Sequence, residues 1–166
     1  MKKAIQIKTD GTITELDLST DSLSTLQEAV GGLVQAIDIT EDMTMWCNEE
    51  GKMISLPHNP YGQAIWVSAY GHTDYIVGDI VLTGGTDNEG ETLGLTNGQI
   101  FRMKSLVAGV MQMVQPRMEA MLGVHIASKV EPSANAKVHH FKTKADALAA
   151  YRRGEIGLDS KVEVGP

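Results

Sequence analysis

Turn-forming pairs cut this chain into short lengths. Asp10-Gly11, Gly31-Gly32, Asn59-Pro60 and Gly84-Gly85 recur so closely that nothing before Asn97 exceeds a strand or a short helix. Segments that short bury little apolar surface alone and must pack together in layers. A chain of 166 residues fits one domain and can remove roughly 70% of its unfolded surface from water. At 42% hydrophobic and 21% charged residues its composition is that of a globular protein, not a disordered one.

The patterning between the breaks predicts mixed structure. Ile5, Ile7, Ile13, Leu16 and Leu18 alternate around Asp10-Gly11 as a hairpin would. Ser24 and Gln27 stand at capping-box spacing, and Leu23, Leu26 and Val30 recur at helical intervals before Gly31-Gly32. Strands are expected over Leu33 to Ile39 and Met43 to Asn48, the second closed by Glu49-Glu50-Gly51-Lys52 into a hairpin with Met53 to Leu56. Asn59-Pro60 reads as an N-cap with proline at the first helical position, giving a helix over Tyr61 to Tyr70. Tyr75 to Leu82 reads as a strand, and Thr86 to Glu91 as an exposed loop.

From Asn97 the period changes. Ile100, Met103, Val107, Val110, Met111 and Val114 mark the longest helix, which Pro116 is expected to kink into a pair ending near residue 122. Val124 to Val130 alternates like a strand, Glu131 to Ala136 is loop-like, and Val138 to Phe141 reads as a strand. Thr143 and Asp146 cap a last helix ending at Gly154, and Ile156 to Val164 closes the chain as a strand. The expectation is therefore an α+β fold with a mostly antiparallel sheet and three to four helices. Residues 1–122 form the main domain, with a strand-helix-strand unit over 123–166 packed on it as one compact whole.

Charge and cysteine content narrow the function. A net charge of −7 repels phosphate backbones, so nucleic acid is a poor partner. Cys47 has no second cysteine to pair with, which suits a reducing compartment, and no stretch approaches the ~20 apolar residues of a membrane span. A cytoplasmic protein with no membrane association is expected.

Reactive groups do not cluster along the chain. His139 and His140 are adjacent and would face opposite sides of a strand, while His58, His72 and His125 are scattered, so no metal site is expected. Asp87 to Glu91 lacks the twelve-residue calcium pattern. Cys47 alternates with Met43 and Met45, the pattern of a buried thiol, and no nucleophile motif accompanies it. Neither glycine pair has dinucleotide or Walker spacing. The Met-rich helix reads first as core and second as a homo-oligomer interface. Lys142, Lys144, Arg152 and Arg153 form a basic segment that either holds an acidic group or complements a helix dipole.

LQEAVGG, MWCNEEGKMISLPHNP, IVGDIVLTGG and GLTNGQ, in that order, resemble an uncharacterised domain of small proteins from bacteriophages and mobile elements, over roughly residues 1 to 105. That resemblance implies a phage accessory protein acting on its host, with Asn48, Glu49, Glu50, Gly51, Asn59 and Pro60 as surface features. The tail HFKTKADALAAYRRGEIGLDSKVEV is similar to a helix-and-strand segment of the largest subunit of multisubunit RNA polymerases, without that enzyme's catalytic aspartates.

The preferred expectation is a non-catalytic protein that inhibits a host defence protein or sequesters a small nucleotide-like signal, without a cofactor. Its candidate binding residues are Asn48, Glu49, Glu50, Lys52, His58, Asn59 and Tyr61, with Arg152 and Arg153. One alternative is a small hydrolase or nucleotide-modifying enzyme using Glu49 or Glu50 with His58. Another is a structural or virion-associated protein.

Overall fold

Alternation of Ile5 and Ile7 with Ala4 and Gln6 requires apolar cover on both faces of the first strand, and the fold supplies it. The computed structural model describes residues 1–127, 138–155 and 161–164. The chain divides into two units, Met1–Met111 and Gln112–Pro166.

In the first unit β1 (Lys3–Ile7), β2 (Ile13–Asp17), β3 (Val34–Thr40), β4 (Met43–Asn48) and β5 (Ile80–Gly84) form one sheet in the order β2-β1-β5-β4-β3. Every pairing in it is antiparallel. On one face Ile5, Ile7, Met45, Ile80 and Leu82 pack with Tyr61 and Ile65 of α2 (Pro60–Tyr70) and with Ile100 and Val107 of α3 (Asn97–Ala127). On the other, Ala4 and Val81 meet Leu26 and Val30 of α1 (Ser22–Val30). Central β5 is buried along all five residues, so it opens on the continuous apolar run Ile80 to Leu82 and shows no period two. Each fully buried Ile or Leu contributes ~1.5–3 kcal/mol.

The helices begin and end for local reasons. Asn59 caps α2: its Oδ1 accepts from Tyr61 N–H at 3.1 Å and Gly62 N–H at 3.0 Å, and Pro60 occupies a position where no N–H is needed. Gly62, unusual in a helix interior, brings α2 close to β5 and the segment before it, since a Cβ there would stand 2.8 Å from Ile76 Cγ2 and 3.3 Å from Ile80 Cδ1. Helix α1 ends at Gly31, whose φ of 76° is the left-handed cap conformation.

Several expectations need correction. Asp21, not Ser24, caps α1, accepting from Ser24 N–H at 3.0 Å. Met53 to Ser55 form turns and Leu56 lies outside any strand, and β4 pairs instead with β3 and β5. Polar Lys52 and Ser55 around a short apolar run, with φ +56° at Ser55, do not suit an extended ladder. The fifth strand starts at Ile80, because Gly78 takes φ 73° and breaks the extended run from Tyr75. Helix α3 continues through Pro116 as far as Ala127, so Val124 to Ala127 are helical; a proline removes one N–H without ending a helix whose other bonds persist. The expected strand residues 128–130, the loop 131–136 and the strand start at 156–160 lie outside the described residues.

In the second unit, β6 (Val138–Phe141) and β7 (Lys161–Val164) pair in parallel, a geometry that needs a crossover, and α4 (Lys144–Arg152) lies between them in sequence. Thr143 and Asp146 form the cap: Asp146 N–H donates to Thr143 Oγ1 at 3.1 Å, and that hydroxyl donates to Asp146 Oδ2 at 2.9 Å. Ala147 and Ala150 are the buried face of α4.

Two outcomes follow from buried polar groups. Asn59 is fully buried, and its Nδ2 also donates to Ile7 O at 3.2 Å and Gly78 O at 2.8 Å. Asn59→Ala strands two carbonyls and a helix start and is expected to cost about 3 kcal/mol in urea unfolding; Asn59→Asp, keeping the cap but losing the donors, is also expected to destabilise. Asp79 is half-buried, accepts from Thr9 N–H at 3.0 Å, and has its carboxyl pushed above the ordinary range by desolvation. A raised acid binds its proton more tightly when folded, so its stabilising contribution is present below pH ~4 and is lost as pH climbs through the folded value. Asp79→Asn is expected to remove that part of the pH dependence in melting temperatures recorded between pH 3 and 7.

Candidate functional site

Strand β3 is one of the two outer strands of the sheet, β2 being the other, and its register fixes which backbone groups face outward. Glu49 N–H donates to Leu33 O at 2.8 Å, with Val34 opposite Asn48 and Gln35 opposite Cys47. Antiparallel pairing alternates, so odd-numbered residues of β3 bond to β4 while Val34, Ala36 and Asp38 turn their backbone groups out of the sheet. Tyr70, at the end of α2, donates its hydroxyl to the outward carbonyl of Asp38. A shift in register between Asp38 and Thr40 then ends the regular edge.

Beside this edge lies a cleft of about 410 Å³. Gln35, Ile37 and Cys47 come from β3 and β4, Trp66 and Tyr70 from α2, and Asp74 to Val77 from the segment before β5. Trp66 and Tyr70 are four residues apart on one helix face, and their rings meet at 4.6 Å, tilted by 34°. Trp66 Nε1–H donates to Thr73 Oγ1 at 3.2 Å, which ties the helix to the segment that follows it.

The polar rim is largely self-satisfied. Lys52 Nζ reaches Asp74 Oδ2 at 2.6 Å and lies 4.6 Å from the centroid of the Tyr75 ring. With both partners substantially exposed, that pair stabilises by less than about 1 kcal/mol. Hydrogen bonding from Lys52, reinforced by Tyr75 N–H, holds the Asp74 carboxyl below its ordinary range. Burial pushes the Cys47 thiol upward, so this is a protonated, weakly nucleophilic sulfur.

Three of the nine sequence-derived candidates meet here: Asn48, Glu49 and Lys52 line the cleft. Asn48 is itself buried, donating to Val30 O at 3.3 Å and accepting from Glu50 N–H at 2.9 Å. Glu50 is exposed in the turn after β4 and is outside the lining, as is His58, which pairs with Val77 in an isolated bridge. Asn59 and Tyr61 are core residues. Arg152 ends α4, and Arg153 makes a two-pronged pair with Glu155 at 2.6 and 3.0 Å. Sequence reasoning missed Gln35, Trp66, Tyr70, Asp74 and Tyr75. A usable signal was the Trp66/Tyr70 spacing on a helix already anchored by Asn59. Among the described residues no three His, Cys, Asp or Glu side chains are placed to hold a metal ion, and no helix is long and apolar enough to cross a membrane.

Fold and site together define a small α+β domain with a half-open cleft at a sheet edge. Residues 1–108 match the family described as Domain of unknown function (DUF3846), and the chain belongs to that family. Comparison with curated proteins and with solved structures gives no match.

The state of Cys47 can be read directly. Its reaction with a disulfide reagent at pH 7.4 is expected to run at least about tenfold slower in the native protein than in urea, and to accelerate only as pH climbs beyond the ordinary thiol range. A native rate equal to the unfolded one would show instead a thiol as accessible and as ionised as in the unfolded chain.

Proposed function

We propose that the protein is a non-catalytic accessory protein, of the kind carried by phages and mobile elements, that binds and inhibits a host protein in the host cytoplasm. The carrying observation is the cleft at the β3 edge, where the outward backbone of Ala36 stands beside an aromatic wall. Aromatic side chains next to unpaired main-chain groups suit recognition of a polypeptide.

The charge of the cleft favours a protein over a nucleotide-like signal. Lys52 is the one cationic residue in the lining and is already held by Asp74, with Glu49 close by, so a phosphate would meet net negative charge. Catalysis by Glu49 or Glu50 with His58 gains no support, since Glu49 lines the cleft without either Glu50 or His58 beside it in the lining.

The test is capture from bacterial lysate on the immobilised full chain, with mass spectrometry of proteins and of co-purified small molecules. A host protein is expected, retained roughly tenfold less by Tyr75→Ala, which removes an exposed aromatic anchor. Recovery of a nucleotide without a protein, or equal capture by Tyr75→Ala, would overturn this reading.

A further inference from the structure

The sheet ends on β3 with its backbone groups at Val34 and Ala36 directed outward, and Ala36 is exposed. A strand laid antiparallel along that edge would continue the pattern of every other pairing in the sheet. Side-chain alternation then assigns the two faces of the guest. Its residues on one face lie over the cleft, against Ile37, Trp66 and Ile76. Those whose backbone bonds to Ala36 carry side chains on the opposite face, the face of Asp38, which accepts from Thr44 Oγ1 at 3.2 Å.

Charge selects the guest. Asp38 has no cationic partner among the described residues, and the turn after β3 adds the negative charges of Glu41 and of Asp42, whose carboxylate accepts from Thr40 Oγ1 at 2.6 Å and Gln99 Nε2 at 3.2 Å. The whole chain carries −7, which disfavours a second copy at this edge. A lysine or arginine on the Asp38 face would meet the Asp38 carboxylate, while apolar residues on the other face would fill the cleft.

Resting on the reading of a protein partner, we infer that β3 takes up an extended basic segment of that partner as a sixth, antiparallel strand, with apolar side chains in the cleft and cationic ones beside Asp38. Main-chain bonds hold such a guest, and the alternate side chains give selectivity. The bulge between Asp38 and Thr40 and the Tyr70 hydroxyl on Asp38 O confine the ladder to the stretch around Ala36.

The probe is a fluorescent peptide, Lys-Val-Lys-Val-Lys-Val-Lys, titrated into the full-length protein at low salt with anisotropy as readout. It is expected to bind at least about tenfold more tightly than its Glu-for-Lys counterpart, and than a version N-methylated at the lysine amides, which cannot donate to β3. Ala36→Pro is expected to lose at least about tenfold in affinity with an unchanged circular dichroism spectrum, because the lost N–H points away from β4. Equal binding of the methylated or the Glu peptide would overturn the proposal, and the methylated peptide decides even if Ala36→Pro fails to fold. A wild-type dimer in sedimentation that Ala36→Pro dissociates would assign the edge to a second copy and overturn it too. Host-protein capture lost in Tyr75→Ala but kept in Ala36→Pro would sink strand addition alone; capture unaffected by either would sink the partner reading as well.

Discussion

The side-chain amide of Asn59 joins three parts of the first unit that are far apart in sequence. Its nitrogen donates to the carbonyls of Ile7 and Gly78, and its oxygen accepts from the first turn of α2. Buried in full, it has no water to fall back on, so each bond is held by the absence of an alternative. The end of β1, the approach to β5 and the start of α2 are thereby fixed relative to one another. Because α2 supplies Trp66 and Tyr70, the position of the cleft wall descends from this one amide.

The sheet shows how a polar edge coexists with an apolar centre. Central β5 is enclosed on both faces, and neighbouring β1 shares that cover. Moving outward through β4 to β3, burial falls until Gln35, Ala36 and Asp38 stand exposed. Unpaired strand edges invite association, and natural proteins restrain them with charges and bulges. Strand β3 has both, Asp38 and the register shift after it, and they leave only a short open stretch.

Much of the architecture was legible because it follows from local chemistry. Asn59-Pro60 announced α2, the alternation of Ile5 and Ile7 announced β1, and Thr143 with Asp146 announced α4. The errors arose where tertiary context overrode a local pattern. Met53 to Leu56 looks like a return strand, but β4 already has two neighbours and no place for a third. Val124 and Ile126 alternate, yet they continue α3. The candidate site was half visible: Glu49 and Lys52 drew notice as polar turn residues, whereas Gln35 on β3 and Tyr75 before β5 meet only once the chain is folded. No periodicity within one segment reports that convergence.

Gly62 has a consequence beyond its own helix. Its missing side chain lets α2 settle on Ile76, and Ile76 is also part of the cleft lining, so the gap between the helix and the segment before β5 is calibrated by an atom that is not there. Evolution could therefore retune the width of the cleft without touching a single residue that lines it: a methyl group at position 62 would act as a shim, lifting one wall of the opening.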